Sequence, residues 1–185
     1  MASISTDVGQ MSWHRDQPQP SVGEPRRHLL AATLAFVVAA WELPGVRRIA
    51  LIGSLTTNKP VPKDTDLLVV IDDNVDFEKL AMLGRRLKGT TQSINLGADI
   101  FLADHNERYI GRICRYRECF PRVLCEARHC GQRNHLNDDL DLVTLAQSLI
   151  AAPPVDLRPG IVVRCAVPED VEALLLQPLA AMLRH

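Results

Sequence analysis

The chain has 185 residues, enough to bury a real core in one compact domain with appendages. Its 46% hydrophobic and 23% charged residues are ordinary for a soluble globular protein, and no apolar run is long enough to cross a bilayer. The formal net charge of −1 excludes a global basic field, so any nucleic-acid contact must come from local patches.

Residues 1–25 are rich in Ser, Gln, Pro and Asp and lack an apolar pattern, which predicts a flexible tail. Pro25 suits the opening of a first helix, where its missing N–H falls at a position with no intrahelical bond. Pro44-Gly45 ends that helix. Residues 29–41 form the longest apolar stretch, and they follow Arg26 and Arg27 as a signal sequence would. The polar leader is unusually long for a signal, and Leu30, Leu34, Val37, Val38 and Trp41 fall on one helical face. The reading is therefore a buried core helix. A cytoplasmic, reducing compartment follows, in which the five cysteines are thiols or metal ligands rather than disulfides.

Three strands are expected next, at residues 48–53, 66–71 and 98–103. A polar loop with two prolines and two lysines, residues 55–63, separates the first two. An amphipathic helix at 75–87, with Phe77, Leu80, Leu83 and Leu87 inward, separates the second and third. The order predicts an α/β (α+β) fold: a mixed β-sheet backed by helices, occupying residues 26–104. Composition changes near His105, which predicts a Cys/Arg-rich module and helix over 105–150, the helix itself spanning 138–150. A Pro-rich link at 151–154, a short strand at 161–163 and a Leu-rich helix or helix pair over 169–183 complete the C-terminal part, 151–185. That last helix is expected to pack on the core or to join copies of the chain.

The chemistry is concentrated in Gly53-Ser54, followed after nine residues by Asp64-Thr65-Asp66, and by Asp99 in a later strand. Glycine at a strand end permits a tight turn with close backbone approach. Ser54 offers a hydroxyl and a backbone N–H where a phosphate can sit. In an extended chain Asp64 and Asp66 point the same way, about 6–7 Å apart at Cα, and can converge on divalent ions. Asp99 joins them if its strand pairs alongside. Mg²⁺ relieves the repulsion of three clustered carboxylates and also binds triphosphate oxygens.

These motifs (ALIGS at 50–54, DTDLLVV at 64–70, ADIF at 98–101) resemble the DNA polymerase β-like nucleotidyltransferase superfamily, in particular its minimal, stand-alone bacterial members. The resemblance covers residues 28–104. It implies a nucleoside triphosphate, ATP being the first choice, with Mg²⁺ held by Asp64, Asp66 and Asp99. It implies Ser54, on Gly53, as a phosphate contact and Asp99 as activator of an acceptor hydroxyl. Many minimal members carry Arg-Gly shortly after Gly-Ser. Here Thr57-Asn58 stands instead, with Lys59 and Lys63 as the available phosphate cations. The acceptor is open among small molecules, proteins and RNA ends.

Cys114, Cys119, Cys125 and Cys130 lie within seventeen residues, with His129 and His135 nearby, and are candidate zinc ligands. The paired C-x-x-C knuckles of zinc ribbons are missing, so buried or surface thiols compete with that reading. Around them Arg108, Arg112, Arg115, Arg117, Arg122, Arg128 and Arg133 oppose Glu107, Glu118 and Glu126, a local charge of about +4. Tyr109, Tyr116 and Phe120 are interleaved, a composition that suits phosphates and unpaired bases. Two other classes of function stay open: a non-catalytic, antitoxin-like protein that binds a partner, and a zinc-containing nucleic-acid-binding module.

Overall fold

The computed structural model describes residues 23–114, 135–137 and 145–184. Helix α1 (Glu24–Trp41) leads into strand β1 (Val46–Ile52), a 3₁₀ turn at Gly53–Thr56, and strand β2 (Asp64–Ile71). Helix α2 (Phe77–Gln92) connects β2 to β3 (Gly97–Ala103), and β4 (Tyr109–Ile113) follows. Two short strands, β5 (Leu136–Asn137) and β6 (Val155–Arg158), complete a six-stranded sheet of order β5-β4-β3-β2-β1-β6. The fold is mixed α and β. β2 and β3 run parallel across the α2 crossover, and the other neighbours are antiparallel.

Alternation along the central strands sorts their residues by face. Thr65 meets α1 through its hydroxyl, 2.9 Å from that of Thr33, and Ile100 lies against Gly84 of α2. Leu67, Val69, Ile100 and Leu102 join Leu29, Leu30, Phe36, Val37 and Leu80 in the core between sheet and helices. The period of two then turns Asp64, Asp66 and Asp99 to the opposite face.

Several expected elements shift. The buried face of α1 runs through Arg26, Leu29, Leu30, Thr33, Phe36, Val37 and Ala40. Of the expected stripe, Leu30 and Val37 are buried, Leu34 and Trp41 are half-buried, and Val38 is 40% exposed. The stripe is displaced because Ala, Thr and Arg contribute to the buried face, and hydrophobicity alone does not mark them. Helix α2 runs one full turn past residue 87, through Thr91, whose buried hydroxyl donates to the Lys88 carbonyl. The sheet crosses the compositional boundary at His105, since β4 pairs with β3 in register Phe101↔Arg112.

The helix expected at 138–150 lies partly outside the described residues. Its described end holds only a 3₁₀ turn at Gln147–Leu149. The strand expected at 161–163 is instead β6, at Val155–Arg158, against which Val162 makes one bridge to Asp156. The C-terminal helix forms as α3 (Glu169–Val171), a π turn (Glu172–Leu176) and α4 (Gln177–Met182). Pro178 lacks the N–H for an α-helical bond and its ring crowds the preceding turn, which accounts for the widened turn before it. Among the described residues, no helix is long and apolar enough to cross a membrane.

Candidate functional site

β1 delivers Gly53 to the end of the sheet beside β2. Gly53 has φ of 73°, in the left-handed region that favours glycine. A Cβ there would sit 2.3 Å from Oδ2 of Asp66, so the position has no room for a side chain. The turn is closed by the Thr56 hydroxyl on the Gly53 carbonyl (2.8 Å) and the Thr57 hydroxyl on the Ser54 carbonyl (2.9 Å). Ser54 Oγ is buried and has no hydrogen-bond partner among the described residues. A shielded hydroxyl of this kind is costly unless a further group meets it.

The carboxylates come together by strand register. Asp66 stands opposite Asp99 in the parallel β2–β3 ladder, and Asp64 stands opposite Gly97. A Cβ on Gly97 would come within 3.2 Å of the Asp64 Cβ, so this glycine leaves space beside that carboxylate. Asp66 is 5% exposed, whereas Asp64 and Asp99 are half-buried. Burial first, and then the charges of Asp64 and Asp99, push the Asp66 carboxyl up to about 7, against the opposing charge of Lys59. Lys88 of α2 reaches Asp99 with Nζ 3.3 Å from Oδ1. Lys63 meets this region through its carbonyl, which accepts the Gly97 N–H at 2.7 Å, while its side chain is exposed.

The donor set is all oxygen and anionic, which suits a hard cation such as Mg²⁺ rather than zinc. Ser54, next to the glycine that touches Asp66, has an Oγ without a hydrogen-bond partner among the described residues, and that hydroxyl can donate to an anionic ligand. As the side chains stand, the described residues include no group of three His, Cys, Asp or Glu that could hold a metal ion. Lys88 on Asp99 and the high proton affinity of Asp66 are the ways this cluster relieves its own repulsion.

The expected zinc ligands divide. Cys114 is buried at the end of β4, and its N–H donates to the His135 carbonyl at 2.7 Å. Arg85 approaches both residues, donating to the Cys114 carbonyl at 3.3 Å and standing 3.5 Å from His135 Nδ1. Cys119, Cys125, Cys130 and His129 lie outside the described residues, as do Arg115, Arg117, Arg122, Arg128, Arg133, Tyr116 and Phe120. A cleft of about 600 Å³ opens at the other ends of β2 and β3, beside Ile71, Asp72, Val75, Phe77 and Asp104. Two of its three acids are engaged, Asp72 by Arg47 and Asp104 by the N–H groups of Asn106 and Arg108, and Asp73 is the third.

Three residues that the sequence does not single out lie at or near this cluster: Lys88, which pairs with Asp99, and Arg26 with its partner Asp170, which meet the loop that follows Ser54. The one local signal for Lys88 is its place near the end of the helix that leads to Asp99. Arg26 reads in the sequence only as a positive flank, and nothing local marks an arginine for burial.

The family described as "Family of unknown function (DUF6932)" matches residues 10–134. No curated protein and no solved structure matches the chain.

Proposed function

We propose that this chain, which belongs to the DUF6932 family of unknown function, is a nucleotidyltransferase that moves a nucleoside monophosphate from a triphosphate to an acceptor hydroxyl. The observation that carries this reading is the meeting, at one end of one sheet, of a glycine turn with Asp66 and of Asp66 with Asp99. The resemblance of the Gly-Ser and Asp-x-Asp motifs to the polymerase β-like superfamily supports it.

Each group has a role that follows from its chemistry. Ser54 Oγ and the backbone N–H groups of the turn bind phosphate oxygens, and Lys59, whose charge already acts on Asp66, adds a cation on the same side. Asp64, Asp66 and Asp99 would hold Mg²⁺, which when bound supplies charge neutralisation for the triphosphate and acidifies the acceptor hydroxyl. Asp99 takes the hydroxyl proton. The acceptor oxygen bonds to the α-phosphorus, the bond from that phosphorus to the bridging oxygen breaks, and pyrophosphate leaves with the electron pair. Lys88, paired with Asp99, orients that carboxylate toward the acceptor side.

The test is calorimetric titration of Mg²⁺-ATP and the other triphosphates into wild type and into the Asp64→Asn/Asp66→Asn protein. Metal-dependent binding that the double variant loses supports the reading. No binding of any triphosphate at millimolar ligand to folded protein sinks it.

A second reading, a non-catalytic protein that binds a partner, is favoured by one observation. Lys88 Nζ stands 3.3 Å from Asp99 Oδ1, so a cation of the chain itself already balances that carboxylate. Met182 and Leu183, 54% and 43% exposed at the end of the C-terminal helix, would then be part of the contact.

A further inference from the structure

Arg26 lies in the first turn of α1 with its side chain only 8% exposed, an environment that arginine enters only when fully paired. A guanidinium carries five N–H donors, and all five are used here. Nε and one Nη2 donor grip the two oxygens of Asp170, the latter at 2.9 Å. The second Nη2 donor reaches the Leu55 carbonyl at 3.3 Å. Nη1 donates to the carbonyls of Thr57 (3.1 Å) and Lys59 (2.9 Å). All three carbonyls belong to the loop that directly follows Gly53-Ser54.

Asp170 lies in α3, beyond the residues matched by the family, so this contact joins two separate parts of the chain. The hydrogen bonds from Arg26 hold the Asp170 carboxyl below the usual carboxylate range, which keeps the counter-charge in place. Packing alone does not require this arrangement, because an apolar residue at 26 would dock α1 without holding any loop carbonyl.

We infer that Arg26 and Asp170 are positioning residues for the triphosphate loop: their ion pair ties the C-terminal helical segment to the carbonyls of Leu55, Thr57 and Lys59, and fixes the loop that presents Ser54 and Lys59 to phosphate. The inference rests on the triphosphate reading above. It deepens that reading by making the grip on phosphate depend on a segment outside the motif region.

The experiment compares full-length wild type with Asp170→Asn, Asp170→Glu and Arg26→Lys, below the unfolding transition of each. Two readouts are taken, amide hydrogen exchange of residues 55–59 and the Mg²⁺-ATP affinity. Asp170→Asn and Arg26→Lys are expected to lose loop protection and about tenfold in affinity, with α2 and β3 amides unchanged. Asp170→Glu, which keeps the charge, is expected to stay within about threefold of wild type. Arg26→Lys keeps the ion pair but cannot hold three carbonyls, so wild-type loop protection and affinity in that variant overturn the inference. So does equal affinity of Asp170→Asn and wild type. Wild type that binds no Mg²⁺-ATP overturns the triphosphate reading and this inference with it, whereas the variant results overturn this inference alone.

Discussion

Oδ2 of Asp66 lies 2.3 Å from the point where a Cβ on Gly53 would begin, so the glycine turn and the carboxylate occupy adjoining space and neither can change alone. Gly53→Ala must therefore displace Asp66 and also hold alanine at a left-handed φ, at a cost of about 1–3 kcal/mol. The expected result is a folded, less stable protein with Mg²⁺-ATP affinity reduced by about tenfold or more. Gly89→Ala is the matched control. Gly89 sits in α2 with nothing within 4 Å of its added Cβ, so alanine there should raise stability by about 0.5–1 kcal/mol and leave binding alone. Equal affinity of Gly53→Ala and wild type would remove the glycine turn from the site.

The pH dependence of the metal-free protein follows from Asp66. Its pKa is about 7 in the folded protein against an ordinary 3.8, so between those values the folded state binds the extra proton. Stability contributed by this group is therefore present at low pH and declines as pH rises through about 4 to 7. Asp66→Asn should abolish that decline and exceed wild type by about 2–4 kcal/mol at pH 7.5 in EDTA, since each tenfold change in proton affinity is worth about 1.4 kcal/mol. At pH 5 the gap should be roughly a third of that, because only about one of the three pH units of decline has been passed. Mg²⁺ requires the carboxylate, so wild-type metal affinity should rise over the same range. Urea unfolding at the two pH values checks this, and a wild-type excess at pH 7.5 would contradict it.

Lys88 and any Mg²⁺ compete for Asp99, since the ammonium already stands 3.3 Å from Oδ1. Lys88→Met keeps the length and removes the charge. In the absence of nucleotide it should bind Mn²⁺ or Mg²⁺ about two- to fivefold more tightly, because a partly buried cation no longer opposes the metal. In a working enzyme it should also lower turnover, since Asp99 loses its orienting partner. Unchanged metal affinity, measured by calorimetry, would place the metal away from Asp99.

The parts of the fold legible in the sequence are those governed by local periodicity. The apolar runs around Ile49, Leu67 and Ile100 mark three strands, and alternation puts Asp64 and Asp66 on one face. The pairing of Asp66 with Asp99 is not legible, because strand register is set by the α2 crossover and the packing of Gly84 against Ile100. Nor is the burial of Arg26, since it depends on Asp170, which lies 144 residues away in the chain. The extent of the sheet is hidden at Tyr109–Ile113, where arginine and tyrosine suggest a separate module. The residues there are half-buried on both faces except for buried Gly111, so the strand carries only a weak alternation of apolar and polar residues.

Thr33 and Thr65 provide a test of the scaffold independent of the proposed chemistry. Both residues are fully buried, and their hydroxyls are 2.9 Å apart, joining α1 to the strand that carries Asp64 and Asp66. Replacing one partner by valine strands the other hydroxyl in the core, at a cost of about 1–3 kcal/mol. Replacing both with the near-isosteric valine removes the unsatisfied group, and stability should return to within about 1 kcal/mol of wild type. The double variant should then bind Mg²⁺-ATP as wild type does, because the Thr65 side chain faces the helices while its neighbours face away. Single substitutions whose costs simply add in the double variant, measured by urea unfolding, would show that this hydrogen bond is not what couples helix and strand.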